Sequence, residues 1–290
     1  MDPRAAFVLN LDADLELGSS DYRSTRTTRD AIRLHARTLA ETLLRPGDRC
    51  VDASDPDGSC AGMIGRAFSP TPSALAELKR VAAIVPDSPS IEVLRRVCRR
   101  DFAYLHELDD ALCSNDAETV LEHLRSRLAP GISFRLKRVR GMAGRGHRVV
   151  RELLTEHDER FVRMSEGLVV EPEVTIEDEF SLHGFLRPDG HFVSGDLVRS
   201  TVDGRGVWRE TMPIDPRSVD AETRSAISAS FEQASELLGT AGYFGPFGID
   251  AFVYRDGARS RLRTRGEVNA RYSMGWAIGM RRVNPRPDFM

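Results

Sequence analysis

Two stretches near the end of the chain alternate between apolar and polar residues, as β-strands with one buried face do. The first covers residues 248–254, the second covers residues 267–275, and a charged segment that contains Gly257 separates them. Residues 255–258 carry a turn signal. The pattern therefore predicts a β-hairpin.

The predicted hairpin brings four polar side chains together. Asp250 lies on the first strand, and Glu267 and Asn269 lie on the second. Because side chains repeat with period two along a strand, Glu267 and Asn269 project from one face, and Arg271 follows on that face. Two carboxylates and an amide suit Mg²⁺ when phosphates complete its coordination, and arginine can hold a phosphate oxygen. The pattern predicts a nucleotide site, although each residue alone is also typical of a solvated hairpin.

The first hundred residues alternate between strand and helix patterns. An apolar run at residues 5–11 predicts a buried strand, and helical spacing of apolar residues over 28–44 predicts a helix. The other elements predicted here are a short strand at 49–52, a loop to Gly65, and helices at 74–80 and 88–99. This repetition predicts a small parallel α/β layer.

Three acidic residues follow the first predicted strand at alternating positions, namely Asp12, Asp14 and Glu16. Such a pattern can supply metal ligands. It is more typical of a solvated strand end, and we expect that arrangement here.

A strand that carries a lysine precedes a glycine-rich segment in the middle of the chain. Residues 132–139 alternate as a strand and contain Lys137, and Gly141, Gly144 and Gly146 follow. Glycines at this spacing let backbone N–H groups approach phosphate oxygens. Most glycine-rich segments are only turns, but just two of the 41 lysine and arginine residues are lysines. A lysine at this place therefore favours a phosphate site.

Composition narrows the class of protein. With 290 residues and 41% hydrophobic content, the chain can bury a core for two or three packed units. It has no apolar run long enough for a membrane span and no apolar segment of a secretory signal at its start, so we expect a cytoplasmic protein. The net charge of −3 mixes both signs and gives no reason to expect nucleic acid or a membrane as a partner. The four cysteines lack metal-site spacing, and we expect reduced thiols.

The order of these motifs resembles the ATP-grasp ligases of the carboxylate-amine type. The likeness rests on Gly-Ile-Asp at 248–250, then Glu-Val-Asn-Ala-Arg at 267–271 one hairpin later, with the lysine and glycines upstream. It is looser towards the start of the chain, where Cys98 stands at a position that is often asparagine in that family. The resemblance implies an α/β and α+β protein: an ATP-grasp fold with an N-terminal pre-ATP-grasp α/β domain. The parts would be a pre-ATP-grasp domain at 1–97, a central lid subdomain at 98–168 and a metal-binding subdomain at 169–290.

The resemblance also implies a role for each candidate residue. Mg²⁺ or Mn²⁺ would be held by Asp250, Glu267 and Asn269. ATP would be bound by Arg100, Lys137, Gly141, Gly144, Gly146, Glu171, Val174 and Glu179, with adenine at the hinge near Glu171 and the ribose at Glu179. Lys137 and Arg271 would act in catalysis, by neutralising the triphosphate and steadying the charge on the intermediate. His183 is a further candidate base, although a strand histidine is more often structural.

The implied reaction is ligation of a carboxylate to an amine through an acylphosphate, with release of ADP and phosphate. The substrates would be a small-molecule carboxylate and a small-molecule amine or peptide. Two alternatives stay open at this point: a kinase on the same fold that phosphorylates a small molecule, and an ATP-binding protein without catalysis. The sequence leaves the oligomeric state undetermined, with a homodimer among the options.

Overall fold

A computed structural model of the chain describes residues 4–141, 146–203 and 208–283. Its strands form three sheets, which follow one another along the chain, and helices pack against each of them. Among the described residues, none of the helices combines the length and the apolar character needed to cross a membrane.

The first sheet consists of three parallel strands in the order β2-β1-β3. Its elements are β1 (Ala5–Val8), α1 (Ala13–Gly18), α2 (Arg26–Leu43), β2 (Arg49–Val51), β3 (Ile64–Ala67), α3 (Pro72–Arg80) and α4 (Ile91–Val97). All four residues of β1 are buried, as expected for the central strand of a parallel sheet. The parallel α/β layer predicted from the alternating pattern is confirmed.

Two predictions in this layer were wrong. The acidic residues do not mark a solvated strand end, because Ala13 begins α1, and Asp12 and Asp14 are only 8% and 6% exposed. Asp12 accepts a hydrogen bond from the Tyr22 hydroxyl at 2.9 Å, so this carboxylate has a structural contact within the N-terminal layer. The segment predicted as a loop to Gly65 ends in β3, which pairs with β1.

The second sheet consists of four antiparallel strands in the order β4-β7-β5-β6. Its elements are β4 (Leu112–Ser114), α5 (Ala117–Arg127), β5 (Ser133–Arg138), β6 (His147–Arg151), α6 (Glu156–Arg163) and β7 (Leu168–Pro172). Phe134 and Leu136 of β5 point into a core shared with Leu121 and Leu124 of α5. Because residues alternate across the strand, Lys137 lies on the other face of the sheet.

The third sheet consists of six strands, with the order β11-β10-β8-β12-β13 and β9 paired to β8. Its elements are β8 (Thr175–Leu186), β9 (Phe192–Ser194), β10 (Val198–Val202), β11 (Trp208–Pro213), a 3₁₀ turn (Pro216–Ser218), α7 (Ala221–Thr240), β12 (Gly245–Asp256), β13 (Arg259–Asn269) and α8 (Trp276–Gly279). The predicted hairpin is confirmed as β12 and β13, which turn at residues 257 and 258. The bounds of its second strand were wrong, because β13 includes the charged segment and ends at Asn269, so Arg271 follows the strand. Residues 177–179, which include the predicted ribose ligand Glu179, lie inside β8.

Two hydrophobic cores hold this sheet in place. Phe231 of α7 stacks on Phe247 of β12 with ring centroids 4.5 Å apart. On the other side, Trp276 of α8 is fully buried in a core with Phe7 of β1 and Leu39 of α2. The second core ties the end of the described chain to the N-terminal layer, which brings α1 close to the hairpin.

Candidate active site

A cavity of about 570 Å³ is lined by residues of the four-stranded and six-stranded sheets, of α1 and α2, and of the segments that follow β1 and β3. Lys137 and Glu171 come from the four-stranded sheet, and Asp250 comes from the six-stranded sheet. Most of the residues predicted for the site meet here. Those that line the cavity are Arg100, Lys137, Gly141, Glu171, Val174, Glu179, Asp250, Glu267, Asn269 and Arg271.

The hairpin holds the two candidate metal carboxylates side by side. Asp250 of β12 pairs directly with Glu267 of β13 across the ladder. Asp250 accepts a hydrogen bond from the Asn269 amide nitrogen at 2.8 Å and another from the Ser181 hydroxyl at 2.7 Å. These two contacts fix the carboxylate orientation, which a solvated hairpin would not require.

The electrostatics of the pair differ between its two members. Burial and the neighbouring Glu267 raise the pKa of Asp250 to about 6. Burial acts to raise the pKa of Glu267 as well, but Arg100 and Arg271 outweigh it and lower that pKa. Glu267 is therefore the more strongly ionised carboxylate, and Arg100 lies 3.2 Å from it through Nε.

The donor set fits a hard divalent cation. Two adjacent carboxylates repel each other when both are ionised, and a cation between them would remove that repulsion. Among the described residues, no cluster of three or more histidine, cysteine, aspartate and glutamate side chains is placed to hold a metal. A metal at this place would accordingly need the Asn269 amide and oxygens from a bound ligand to complete its coordination, which is the chemistry that Mg²⁺ favours.

Lys137 and Glu171 line the cavity from the four-stranded sheet. The Lys137 ammonium lies 2.6 Å from Glu171 Oε2. Glu171 also pairs with the fully buried Arg263 and accepts a hydrogen bond from the Tyr104 hydroxyl at 2.8 Å. Burial acts to raise the pKa of Glu171, but Lys137 and Arg263 lower it to about 2. The Glu171 side chain thus holds Lys137, Arg263 and Tyr104 together. Its position beside an adenine stays a prediction.

The remaining predicted nucleotide residues take up different places. Glu179 lies inside β8 and faces the cavity, and burial together with the nearby Asp250 raises its pKa to about 7. Gly141 lines the cavity. Gly146 has a φ of +91°, which suits glycine, and its carbonyl oxygen accepts a hydrogen bond from the Arg138 N–H, but it is not among the lining residues. Gly144 lies outside the described residues.

Several lining residues were missed from the sequence. His147 of β6 faces the cavity, and burial, Arg100 and Lys137 lower its pKa to about 3, so it is a neutral ring at neutral pH. Ser181 belongs to no recognisable sequence motif, and only its hydrogen bond to Asp250 identifies it as a residue of the site. Asp14 pairs with Arg271 at 3.2 Å although it lies in the N-terminal layer. The acidic run did single out Asp14, but periodicity could not show that it faces the hairpin.

His183, weighed from sequence as a candidate base, is packed tightly against backbone. It is 2% exposed, and a Cβ added at Gly279 would lie 2.6 Å from its Nδ1. Burial lowers its pKa to about 4. It is therefore neutral at neutral pH, and it lines the cavity although its ring is tightly packed.

The burial of His183 predicts a pH effect on stability. Its pKa is lower in the folded chain than its ordinary value of 6.5, so the unfolded chain takes up the proton first as pH falls. This contribution is complete above the unfolded pKa and is lost as pH falls towards the folded one. We expect it to remove about 2 kcal/mol of unfolding free energy between about pH 7 and pH 5.

Urea unfolding of the wild type and of His183→Asn at both pH values measures this contribution of His183 to the free energy of unfolding. The difference between the two proteins should shrink by that amount at the lower pH, whatever constant cost the variant carries. An unchanged difference would show that His183 is not held neutral. Replacement of His191, an exposed turn histidine, gives the matched control.

No protein-family model matches the sequence, and no curated protein sequence matches it. Solved structures do match. D-alanyl-alanine synthetase A from Vibrio cholerae superimposes with a TM-score of 0.53 at 10% identity, over 93% of this chain and 89% of that one. D-alanine–D-alanine ligase from Bacillus anthracis, complexed with ATP, gives 0.53 at 10% identity, over 93% and 87%. N5-carboxyaminoimidazole ribonucleotide synthetase from Thermus thermophilus gives 0.51 at 16% identity, over 94% and 73%.

These structures establish the fold of the chain. It is the ATP-grasp fold, as the resemblance in sequence implied, with mixed sheets and helices along nearly the whole chain. The particular relatives named above are ligases and synthetases, and identities of 10% to 16% leave the activity of this chain to be argued from its own site.

Proposed function

We propose that the chain is an ATP-dependent ligase that joins a carboxylate to an amine through an acylphosphate. One observation carries the proposal: the paired carboxylates Asp250 and Glu267 and the cations Lys137, Arg100 and Arg271 line a single cavity. Oxygen ligands on one wall and cations around them are what a metal-bound triphosphate requires. The ATP-grasp fold, shared with ligases, adds support.

The cavity suggests a place for each part of ATP. The triphosphate would meet Lys137, Arg100 and the backbone of the segment that contains Gly141, Gly144 and Gly146. Adenine would lie at the strand end near Glu171 and Val174, and the ribose hydroxyls would be accepted by Glu179. Asp250, Glu267 and Asn269 would hold one or two Mg²⁺ or Mn²⁺ ions. When bound, such an ion supplies positive charge to the phosphate oxygens.

The chemistry then needs no covalent bond to the protein. A carboxylate oxygen of the first substrate forms a bond to the γ-phosphorus as the bond to ADP breaks. The amine next forms the C–N bond, phosphate leaves, and the amine proton passes to a base or to water. Arg271, held by Asp14, would stabilise the negative charge of the phosphoryl group during both steps. Lys137 would neutralise charge that develops towards ADP.

The domain boundaries and the cellular compartment belong to the same proposal. We assign the pre-ATP-grasp domain to residues 1–97, the central subdomain to 98–168 and the metal-binding subdomain to 169–290. The four cysteines are all free thiols, which supports a reducing compartment such as the cytoplasm.

A trapping assay tests the proposed reaction without knowledge of the amine. Hydroxylamine replaces the amine and converts an acylphosphate into a stable hydroxamate, which is measured as its coloured ferric complex. We expect at least one amino acid or small carboxylate in a screen to give hydroxamate that depends on ATP and Mg²⁺. Phosphorylation of a hydroxyl with no hydroxamate would assign a kinase. ATP binding with no turnover on any substrate would assign a binding protein.

A further inference from the structure

A second group of residues that line the cavity is largely apolar. Leu11 follows β1, Ile32 and His35 lie on α2, and Phe68 follows β3. Trp208 of β11 and Met274 complete this wall, which we call the apolar wall. None of the roles proposed above for ATP, the metal ions or the acylphosphate uses it.

The apolar wall is continuous. Leu11 and Met274 both pack against the core cluster that contains Phe68. The Trp208 ring meets the His35 ring edge-on, with centroids 6.4 Å apart. Trp208 also donates its Nε1–H to the Thr211 hydroxyl at 2.8 Å, and a Cβ at Gly275 would lie 2.7 Å from that hydroxyl. Trp208 and Met274 are thus neighbours through Thr211 and Gly275.

Asp14 lies where the apolar wall meets the charged half of the cavity. Its Oδ2 pairs with Arg271 at 3.2 Å, and the Arg271 guanidinium lies over the Phe68 ring at 5.8 Å. Its charge also interacts with those of Glu267 and Arg100. The carboxylate is therefore close to the place where the phosphoryl group would be transferred.

The second oxygen of Asp14 lies buried beside the cavity, with no hydrogen-bond partner among the described residues. Within the described part of the chain, Asp14 Oδ1 is buried without a hydrogen-bond partner, although the side chain is 6% exposed and lines the cavity. The hydroxyl of Ser273, another lining residue, is also buried without a partner there. Leaving a buried carboxylate oxygen unpaired is costly, so a donor from a ligand would stabilise it.

We propose that Asp14 and the apolar wall form the subsite for the amine substrate, and that this substrate is a primary amine with an apolar or aromatic body. The ammonium group donates to Asp14 Oδ1 and loses one proton to water before it attacks the acylphosphate, and the body packs against Phe68, Trp208 and Met274. This inference rests on the proposed ligase function and specifies the amine that the reaction takes. Asp14 repels an anionic group at this place, so the carboxylate substrate belongs nearer to Arg271.

Equilibrium dialysis of the full chain with labelled phenethylamine tests the subsite, in the presence of Mg²⁺ and a non-hydrolysable ATP analogue. The matched probe is 2-phenylethanol, which has the same body and no charge. We expect phenethylamine to bind about thirtyfold more tightly than the alcohol, since a buried ion pair replaces an unpaired oxygen. Asp14→Asn should remove most of that preference.

The controls separate this inference from the proposed function. Asp12→Asn alters a neighbouring buried carboxylate that accepts from Tyr22 and does not line the cavity, and it should keep the preference. Trp208→Ala should weaken phenethylamine but not ethylamine. Equal binding of amine and alcohol by the wild type, or a preference unchanged in Asp14→Asn, would overturn the subsite. Failure of the ATP analogue to bind the wild type would instead overturn the proposed function.

Discussion

Replacing Glu267 with glutamine is expected to lower ATP turnover by roughly a thousandfold while leaving the fold intact. Glu267 is the more strongly ionised of the two paired carboxylates, because Arg100 and Arg271 lower its pKa against the effect of burial. Glutamine keeps the shape but removes the negative charge that would hold a divalent cation beside the phosphates. We expect the lower turnover to appear as a slower rate of ADP release.

The measurement is ADP release by the purified variant, with circular dichroism to confirm folding. Glu236→Gln is the matched control, since Glu236 is an exposed residue of α7 that does not line the cavity. That control should turn over ATP at the wild-type rate. A Glu267→Gln protein with wild-type turnover would remove the hairpin from the active site and end the ligase assignment.

The second large effect is expected at Lys137. In Lys137→Ala the affinity for ATP should fall by roughly a hundredfold, because a charge-assisted contact to phosphate oxygens is lost in a half-buried site. The variant should stay folded, since Glu171 retains Arg263 and Tyr104 as partners. Affinity is measured by titration calorimetry.

The chain offers an internal control for this prediction. Lys79, the other lysine, is exposed on α3, and Lys79→Ala should bind ATP as the wild type does. Lys137→Arg adds a further comparison, because it keeps the positive charge but replaces the compact ammonium with a planar guanidinium on a longer side chain. Partial recovery of affinity would show that charge is the main contribution. Full affinity in Lys137→Ala would place the triphosphate elsewhere.

The strand patterns that lead to the site could be predicted because they are local. A period of two places Lys137 on the face opposite the buried Phe134 and Leu136, and the same period places Glu267 and Asn269 together. The hairpin turn at Gly257 and the glycines after β5 are equally local signals. These features carried the ATP-grasp resemblance, and the solved structures bear out the fold.

Contacts between distant segments could not be predicted in this way. Asp14 was interpreted as part of a solvated strand end, yet tertiary packing buries it beside Arg271. Glu171 forms an ion pair with Arg263 of β13. That strand is rich in charged residues, which is typical of a solvated strand, but Arg263 is fully buried. Both cases are ion pairs across the fold, and no spacing along the sequence specifies them.

The acidic stretch at 177–179 shows a further limit. Three adjacent acids are typical of a turn, but β8 continues through them because β12 supplies backbone pairing to Asp178 and Glu179. Asp178 is held there by Arg199, with side-chain contacts at 2.7 Å. Pairing partners overrode local propensity, as they commonly do in sheets.

The central claim is that this cavity binds a metal-bound nucleotide, and one titration tests it most directly. The heat of binding of ATP to the purified wild-type chain is measured with Mg²⁺ and then with a chelator in its place. The account predicts saturable binding that tightens by about tenfold or more with Mg²⁺, because the ion would join Asp250 and Glu267 to the phosphates. Absence of binding under both conditions, or equal binding with and without Mg²⁺, would contradict it.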